Sequence, residues 1–353
     1  MQLLEGLKVV DFTRYFPGPY ATLRLSDWGA EVVKVESCEG EPGRFLNTHE
    51  GREGSVFRSV NRGKKGVLAN LKDDADRSRV LEIVEGADVL VEGFRPGVMA
   101  RLGLDYEAVK RVNPSIVYCS LTGYGQTGPY VELSGHDLNY MALSGCLDQL
   151  LDAEGRPVKP LIAFADLVGG IAASEAMLAG LVRRGLTGEG CYLDVSLTEA
   201  AFSLMGLHAT HASLGGGVHG QMDPSIAYGV YETSDGRYVT IAAMEDKFWR
   251  NFCEAVGRPD LVDGKNTLPS EDNRYYRELR DIFASKDFAW WRGFFEQADC
   301  CFAPVLTAEE ALDVGSFQER GLVGEKWGAR YVATHYLDGE PFLEGDEPFP
   351  SLG

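Results

Sequence analysis

Short runs of aliphatic residues alternate with amphipathic stretches through the first half of this chain. Leu7-Lys8-Val9-Val10-Asp11-Phe12 reads as a buried strand, and Glu31-Val32-Val33-Lys34-Val35 as the next. Residues 66–71, Asp88-Val89-Leu90-Val91 and Ser115-Ile116-Val117-Tyr118-Cys119-Ser120 continue the series. Between them, the spacing of apolar positions predicts helices over 20–28, after the break Pro17-Gly18-Pro19, and over 74–85. Strands separated by helices imply parallel pairing with right-handed crossovers. The N-terminal half is therefore expected to be a doubly wound, Rossmann-like α/β unit. A long helix over 166–184, a strand over 192–196 and a helix over 197–213 extend it.

The pattern then changes. Leu214-Gly215-Gly216-Gly217-Val218-His219-Gly220 is the best candidate for a boundary, because consecutive glycines loosen the backbone. Beyond it, residues 228–233 and 238–243 flank Ser234-Asp235-Gly236, a hairpin signature. Helical stretches over 245–256, 273–285 and 288–297 follow, which makes this a small α+β domain. The last forty residues are rich in Gly, Pro and aromatics and are expected to pack back on the first domain. The expected organisation is a large α/β domain over 1–213, a small α+β domain over 214–305, and a returning segment over 306–353.

Charge narrows the partners. The chain has 353 residues, with 34 Lys and Arg against 53 Asp and Glu, a formal net charge of −19. Nucleic acid and anionic membrane both attract a basic surface, so neither is expected. The seven cysteines are scattered, with no Cys-x-x-Cys, which suits free thiols in the cytoplasm better than disulfides or a zinc site. The N-terminus lacks the pattern of a signal peptide, and no apolar run approaches membrane-spanning length.

Several chemistries lack their motifs. The turn after the first strand, Thr13-Arg14-Tyr15-Phe16-Pro17-Gly18-Pro19, is not Gly-x-Gly-x-x-Gly, and neither a P-loop nor a Gly-x-Ser-x-Gly elbow occurs. His208 and His211 lie three apart on an apolar helix without an evident third ligand, so no metal site is expected. Basic residues gather instead in one stretch, Arg58, Arg62, Lys64, Lys65 and Lys72, and Arg95 stands in Gly93-Phe94-Arg95-Pro96-Gly97 just past a strand end. In an acidic chain these cations suit a phosphate-rich ligand, although a solvated charged loop explains the lysines, taken singly, more simply, and Arg95 equally simply.

Ser134-Gly135-His136-Asp137-Leu138-Asn139-Tyr140 is the densest candidate for catalysis, with Asp166 following. An imidazole at a loop-to-helix junction and a carboxyl opening the next helix suit proton transfer beside a carbonyl. The plainer alternative is that Asp137 and Asp166 are helix N-caps and Glu245 a first-turn residue facing the helix dipole.

At these residues the chain resembles the class III CoA-transferase superfamily and, within it, the α-methylacyl-CoA racemase branch. The similarity includes Gly6–Asp11, Gly29–Glu36, Asn61–Lys65, Glu92–Met99, Gly123–Pro129 and Tyr228–Tyr231. Residues 135–140 and Met244-Glu245-Asp246-Lys247-Phe248-Trp249 resemble racemase segments. Asp11–Arg14 and Glu41-Pro42-Gly43-Arg44 look more like the transferase branch.

The resemblance implies an interlocked homodimer of this fold, an acyl-CoA substrate and no prosthetic group. It implies His136 and Asp166 as the acid/base pair, Glu245 supporting His136, and Asp137 offering a backbone N–H to the thioester oxygen. CoA would lie against Arg62, Lys64, Lys65, Gly93, Phe94 and Arg95. The implied reaction is inversion of a 2-methylacyl-CoA by 1,1-proton transfer. The alternative is CoA transfer between carboxylic acids through an aspartyl-CoA thioester on Asp166.

Overall fold

The computed structural model describes residues 2–48, 53–152, 154–216, 224–326 and 328–335. Contacts divide the chain into two units, Met1–His219 with Gly315–Gly353, and Gly220–Val314. Residues 217–220 of the expected boundary loop, and the chain beyond residue 335, lie outside the described residues.

The larger unit is built on six parallel strands. They are β1 (Lys8–Asp11), β2 (Glu31–Glu36), β3 (Lys65–Leu68), β4 (Val89–Glu92), β5 (Val117–Thr122) and β6 (Cys191–Ser196). Their order is β3-β2-β1-β4-β5-β6, with Val9 in register with Val32 on one side and Val89 on the other. Successive side chains of a strand face opposite ways. Val9, Val89 and Val117 accordingly enter one core cluster, while Val10, Leu90 and Tyr118 enter another. A sheet buried on both faces needs unbroken apolar strands, which is why the central β4 and β5 are buried along their whole length while the edge strand β6 alternates.

The helices of this unit are α1 (Pro17–Asp27), α2 (Ser55–Val60), α3 (Asp74–Glu85), α4 (Val98–Arg101), α5 (Tyr106–Val112), α6 (Asp137–Ser144), α7 (Phe164–Thr187), α8 (Leu197–Ser203) and α9 (Gly206–Ser213), the last with no buried residue. Two differ from expectation. α1 begins at Pro17 rather than after Pro19, because a proline in the first turn lacks only an N–H that has no helical partner. The single helix expected over 197–213 is two, broken at Leu204-Met205.

α7 corrects a third expectation, since its 24 residues are long and apolar enough to cross a membrane by length and composition. One face of it packs into this unit. Ala173 and Met177 pack in the sheet's core, and a Cβ on Gly170 would stand 2.7 Å from Pro17 O of α1. Only glycine allows that close helix–helix approach.

The chain's return stitches this unit together. Thr334 donates to Asp27 Oδ2 through both N–H (3.1 Å) and Oγ1 (2.8 Å), and β10 (Val323–Lys326) pairs antiparallel with β11 (Ala329–Val332).

The smaller unit has an antiparallel sheet of β7 (Tyr228–Glu232), β8 (Tyr238–Ala242) and β9 (Phe302–Pro304). The helices α10 (Asp246–Ala255), α11 (Arg274–Ala284) and α12 (Phe288–Phe295) complete it. Its core is aromatic: Phe283 lies 4.6 Å from Tyr231, 4.9 Å from Trp291 and 5.6 Å from Phe252, centroid to centroid. Burying one such ring contributes about 1.5–3 kcal/mol.

Candidate active site

In an open parallel sheet, ligands bind beyond the carboxyl ends of the strands, where the order reverses. Here the reversal falls between β1 and β4. A cavity of about 680 Å³ opens there. Its wall includes Thr13 and Arg14 after β1, Gly93 and Arg95 after β4, and Thr122 at the end of β5. His136 and Asp166 line the same cavity.

Local bonds shape the start of α6, and one carboxylate ties it to α7. Asn139 Oδ1 accepts the His136 N–H at 3.1 Å, which closes the start of α6. Asp137, the first residue of α6, caps a different helix. Its Oδ1 accepts N–H bonds from Ala165 (2.7 Å) and Asp166 (3.1 Å) at the start of α7. The starts of α6 and α7 are thereby locked side by side. Tyr140 pins the preceding loop, its OH donating to Gly135 O at 2.6 Å.

Asp166 is therefore not an N-cap. It is the third residue of α7, half-buried, and among the described residues its carboxyl has neither hydrogen bond nor ion pair. Burial, and then the negative charge of Asp137, push its pKa up to about 7. A helix N-terminus alone lowers a carboxyl pKa. Here Asp137 has already taken two of the orphan N–H groups, and desolvation prevails. His136 is exposed at the rim.

A second cavity, about 570 Å³, lies over the ends of β2 and β3 and includes Glu36, Asn70 and Lys72. Arg14 and Phe94 line both cavities, with the guanidinium 4.8 Å from the ring centroid. Among the described residues no carboxylate pairs with Arg14, a cation that composition and local charge density passed over. Its place in the β1–α1 turn was the available signal. Arg95 donates to Ser134 Oγ at 2.5 Å.

The expected basic cradle is corrected by burial. Arg62 is 2% exposed and pairs with Asp27 at 2.6 Å. Lys64 Nζ is buried against Asp11 Oδ2 (3.2 Å), Pro19 O (2.9 Å), Thr22 Oγ1 (2.8 Å) and Asn61 Oδ1 (2.9 Å). Lys65 opens β3, at the end of the strand away from the cavities, and pairs with Glu31 at the surface. Arg62 and Lys64 serve the fold and Lys65 lies away from the cavities, whereas Gly93, Phe94 and Arg95 do line the cavity. Glu245 belongs to the smaller unit, exposed at the N-cap of α10 with no capping bond from its side chain.

Fold and cavity together define a doubly wound α/β protein with an imidazole and a desolvated carboxyl at the sheet's switch point. The chain belongs to CoA-transferase family III, whose family model matches residues 4–340. It is 34% identical to succinyl-CoA:glutarate CoA-transferase of Mus musculus over 92% of this chain and 77% of that one. It is 32% identical to alpha-methylacyl-CoA racemase of Homo sapiens, over 90% and 81%. Its structure matches a CAIB/BAIF family protein from Brucella suis with a TM-score of 0.86 and 27% identity, covering 99% and 96%. Identity to transferase and racemase is so similar that the racemase branch is not singled out.

Proposed function

We propose that this chain is a CoA-transferase that moves CoA between carboxylic acids through Asp166. The observation that carries the reading is the Asp166 carboxyl itself, on a cavity wall with no protein partner among the described residues. The Asp11–Arg14 and Glu41–Arg44 segments and the transferase relatives support it. A structural carboxyl is paired; a nucleophile must be free to bond.

The ionised carboxylate attacks the thioester carbonyl and expels CoA thiolate, forming a mixed anhydride. The thiolate attacks the Asp166 carbonyl, releasing the donor acid as its carboxylate. The acceptor carboxylate then attacks the aspartyl-CoA thioester, expelling thiolate and forming a second anhydride. Attack of the thiolate on its acyl carbon yields the new thioester and frees Asp166. Each attack puts charge on a carbonyl oxygen, and the Asp137 N–H at the start of α6 is a donor for it. CoA runs from the second cavity, with Lys72, past Phe94, Arg14 and Arg95 to Asp166.

The active enzyme is an interlocked homodimer in which the partner supplies the smaller unit and its Glu245. Large apolar side chains on the larger unit, Leu161 at 101% exposure and Phe202 at 60% among them, support a covering partner. Free thiols at all seven cysteines suit the cytoplasm.

A second reading has its own observation. A carboxyl poised at about 7, sharing a cavity with His136, can both give and take a proton at neutral pH, as inversion of a 2-methylacyl-CoA requires. The racemase relative supports it.

One experiment separates the two. The protein is incubated with succinyl-CoA and glutarate, the pair its relative's name suggests, and with a 2-methylacyl-CoA in deuterated water. We expect CoA to move between acids, hydroxylamine to trap Asp166, and His136→Ala to lower transfer by less than about tenfold. Solvent deuterium entering the α position, lost in His136→Ala, with no transfer to any acid, would overturn the transferase reading.

A further inference from the structure

The turn between β1 and α1 forms one wall of the cavity, and its backbone is not relaxed. Tyr15 has φ 64°, the left-handed region that side chains with a Cβ rarely enter. Its side chain is 48% exposed and lines the cavity. The Tyr15 N–H donates to Glu41 Oε2 at 2.8 Å, a side chain 26 residues further on.

Glu41 is held in place from behind. It is buried, its N–H donates to Glu36 Oε2 at 2.9 Å, and Glu36 is gripped by Arg44 through two 2.7 Å bonds. Its carboxylate lies over Gly43, where a Cβ would stand 2.4 Å from Oε1. Oε1 itself is buried, with no hydrogen-bond partner among the described residues. The same turn has two further buried anchors. Lys34 Nζ donates to Thr13 O at 2.9 Å, and Asp11 Oδ1 accepts from Thr13 N–H and Oγ1 at 2.8 and 2.5 Å. Asp11 and Lys34 fix Thr13, and among the described residues Glu41 alone bonds the left-handed residue beyond it.

We propose that Glu41 is a positioning residue. Its carboxylate holds Tyr15 in the left-handed conformation and so sets the cavity wall that faces the acyl-CoA. It acts through Tyr15 and does not itself touch the reacting atoms. A carboxylate with one oxygen spent on a strained N–H and the other left unbonded is costly for stability alone.

The test is a set of variants assayed for CoA binding by calorimetry and for steady-state transfer, with crystal structures of each. Glu41→Ala should relax Tyr15 to negative φ and lower kcat/KM by about tenfold, the scale of one strained residue's conformational energy. Gly43→Ala, which displaces the carboxylate from the other side, should do the same. Glu41→Gln keeps an acceptor oxygen and should recover most of the activity. In a Tyr15→Gly background, where φ 64° costs nothing, Glu41→Ala should cost less than in the parent.

The proposal is overturned if Glu41→Ala lowers Tm while leaving kcat, KM and CoA affinity intact. It is also overturned if the loss is the same in the glycine background, or if Glu41→Gln is as impaired as the alanine variant. Should Glu41→Ala fail to fold, Gly43→Ala and Glu41→Gln decide the matter. If the parent protein transfers CoA to no acid, the function proposed above fails, while Tyr15 conformation and CoA affinity still judge this inference.

Discussion

Two aspartates of the larger unit, Asp11 and Asp166, are withdrawn from water and meet opposite fates. Asp11 is wholly buried at the end of β1. Two ammonium groups, Lys64 at 3.2 Å and Lys34 at 3.9 Å, and the hydroxyls of Thr13 and Thr22 surround it. Desolvation is the largest influence on its pKa and acts upward, yet these partners together hold it well below the usual carboxylate range. Asp166 is less buried and has no cation bonded to it among the described residues, so burial, with the charge of Asp137, raises it to about 7. Burial pushes both carboxyls the same way and so does not by itself separate their charges. The partners do, and a carboxyl left without them is the one free to react.

Lys64 presents the reverse pull, since burial draws it down to about 7. Its geometry favours the ammonium form. Four acceptors surround Nζ, more than the two N–H donors of a neutral amine would serve.

The largest effect that tests this contrast is on activity. Asp166→Ala should abolish transfer, by at least about a thousandfold, because no other group can carry the acyl or CoA moiety. Asp11→Ala should leave residual activity in whatever remains folded. Its own effect falls on stability, about 3–5 kcal/mol in urea unfolding, since two buried ammonium groups lose their counter-charge. If Asp11→Ala were stable and Asp166→Ala active, the contrast would be reversed.

pH sharpens the comparison next. The Asp166 pKa is raised in the folded state, so its contribution to stability is complete below its ordinary value of 3.8 and is lost as pH rises through about 7. Asp166→Asn should then raise Tm at pH 8 and leave it nearly unchanged at pH 4. Asp11 works the other way: its contribution is present above 3.8 and is lost as acid drives the pH down through its depressed folded value. The transfer rate should rise with pH through about 7 as Asp166 ionises, measured as kcat/KM against pH.

The smallest effects separate neighbouring cations. Lys64→Met strips a buried carboxylate of its nearest cation and should destabilise by a few kcal/mol, about 3 in chemical unfolding. Lys65→Met, one residue on and exposed beside Glu31, should change stability by about 0.5 kcal/mol or less.

Adjacent residues with such different roles show where sequence reasoning fell short. Arg62, Lys64 and Lys65 look alike as a basic run, but charge density along a chain carries no direction. β3 begins at Lys65, so that residue lies at the strand end remote from the cavities, while Arg62 and Lys64 turn inward onto Asp27 and Asp11. The same gap hid Arg14, whose role depends on lying over Phe94 between two cavities. β9 went unread because three residues after two cysteines make no period, and only pairing with β8 defines them. By contrast α3 occupies the 74–85 expected, since Asp73 caps it and its apolar spacing is local.

The amino-acid sequence by itself determined the parallel α/β architecture, the placing of most strands and helices, and the candidate pair His136 and Asp166. The elements follow from periodicity, capping and turn chemistry acting over a few residues, and the pair from the family resemblance of the segments that carry it. Only the tertiary structure decided that Asp137 caps α7 rather than its own helix and that Asp166 loses water without gaining a cation. It also decided that two of the expected ligand-binding cations are structural. These are outcomes of desolvation and pairing across 20 to 60 residues of chain, and such energies exist only once the folded surfaces have met.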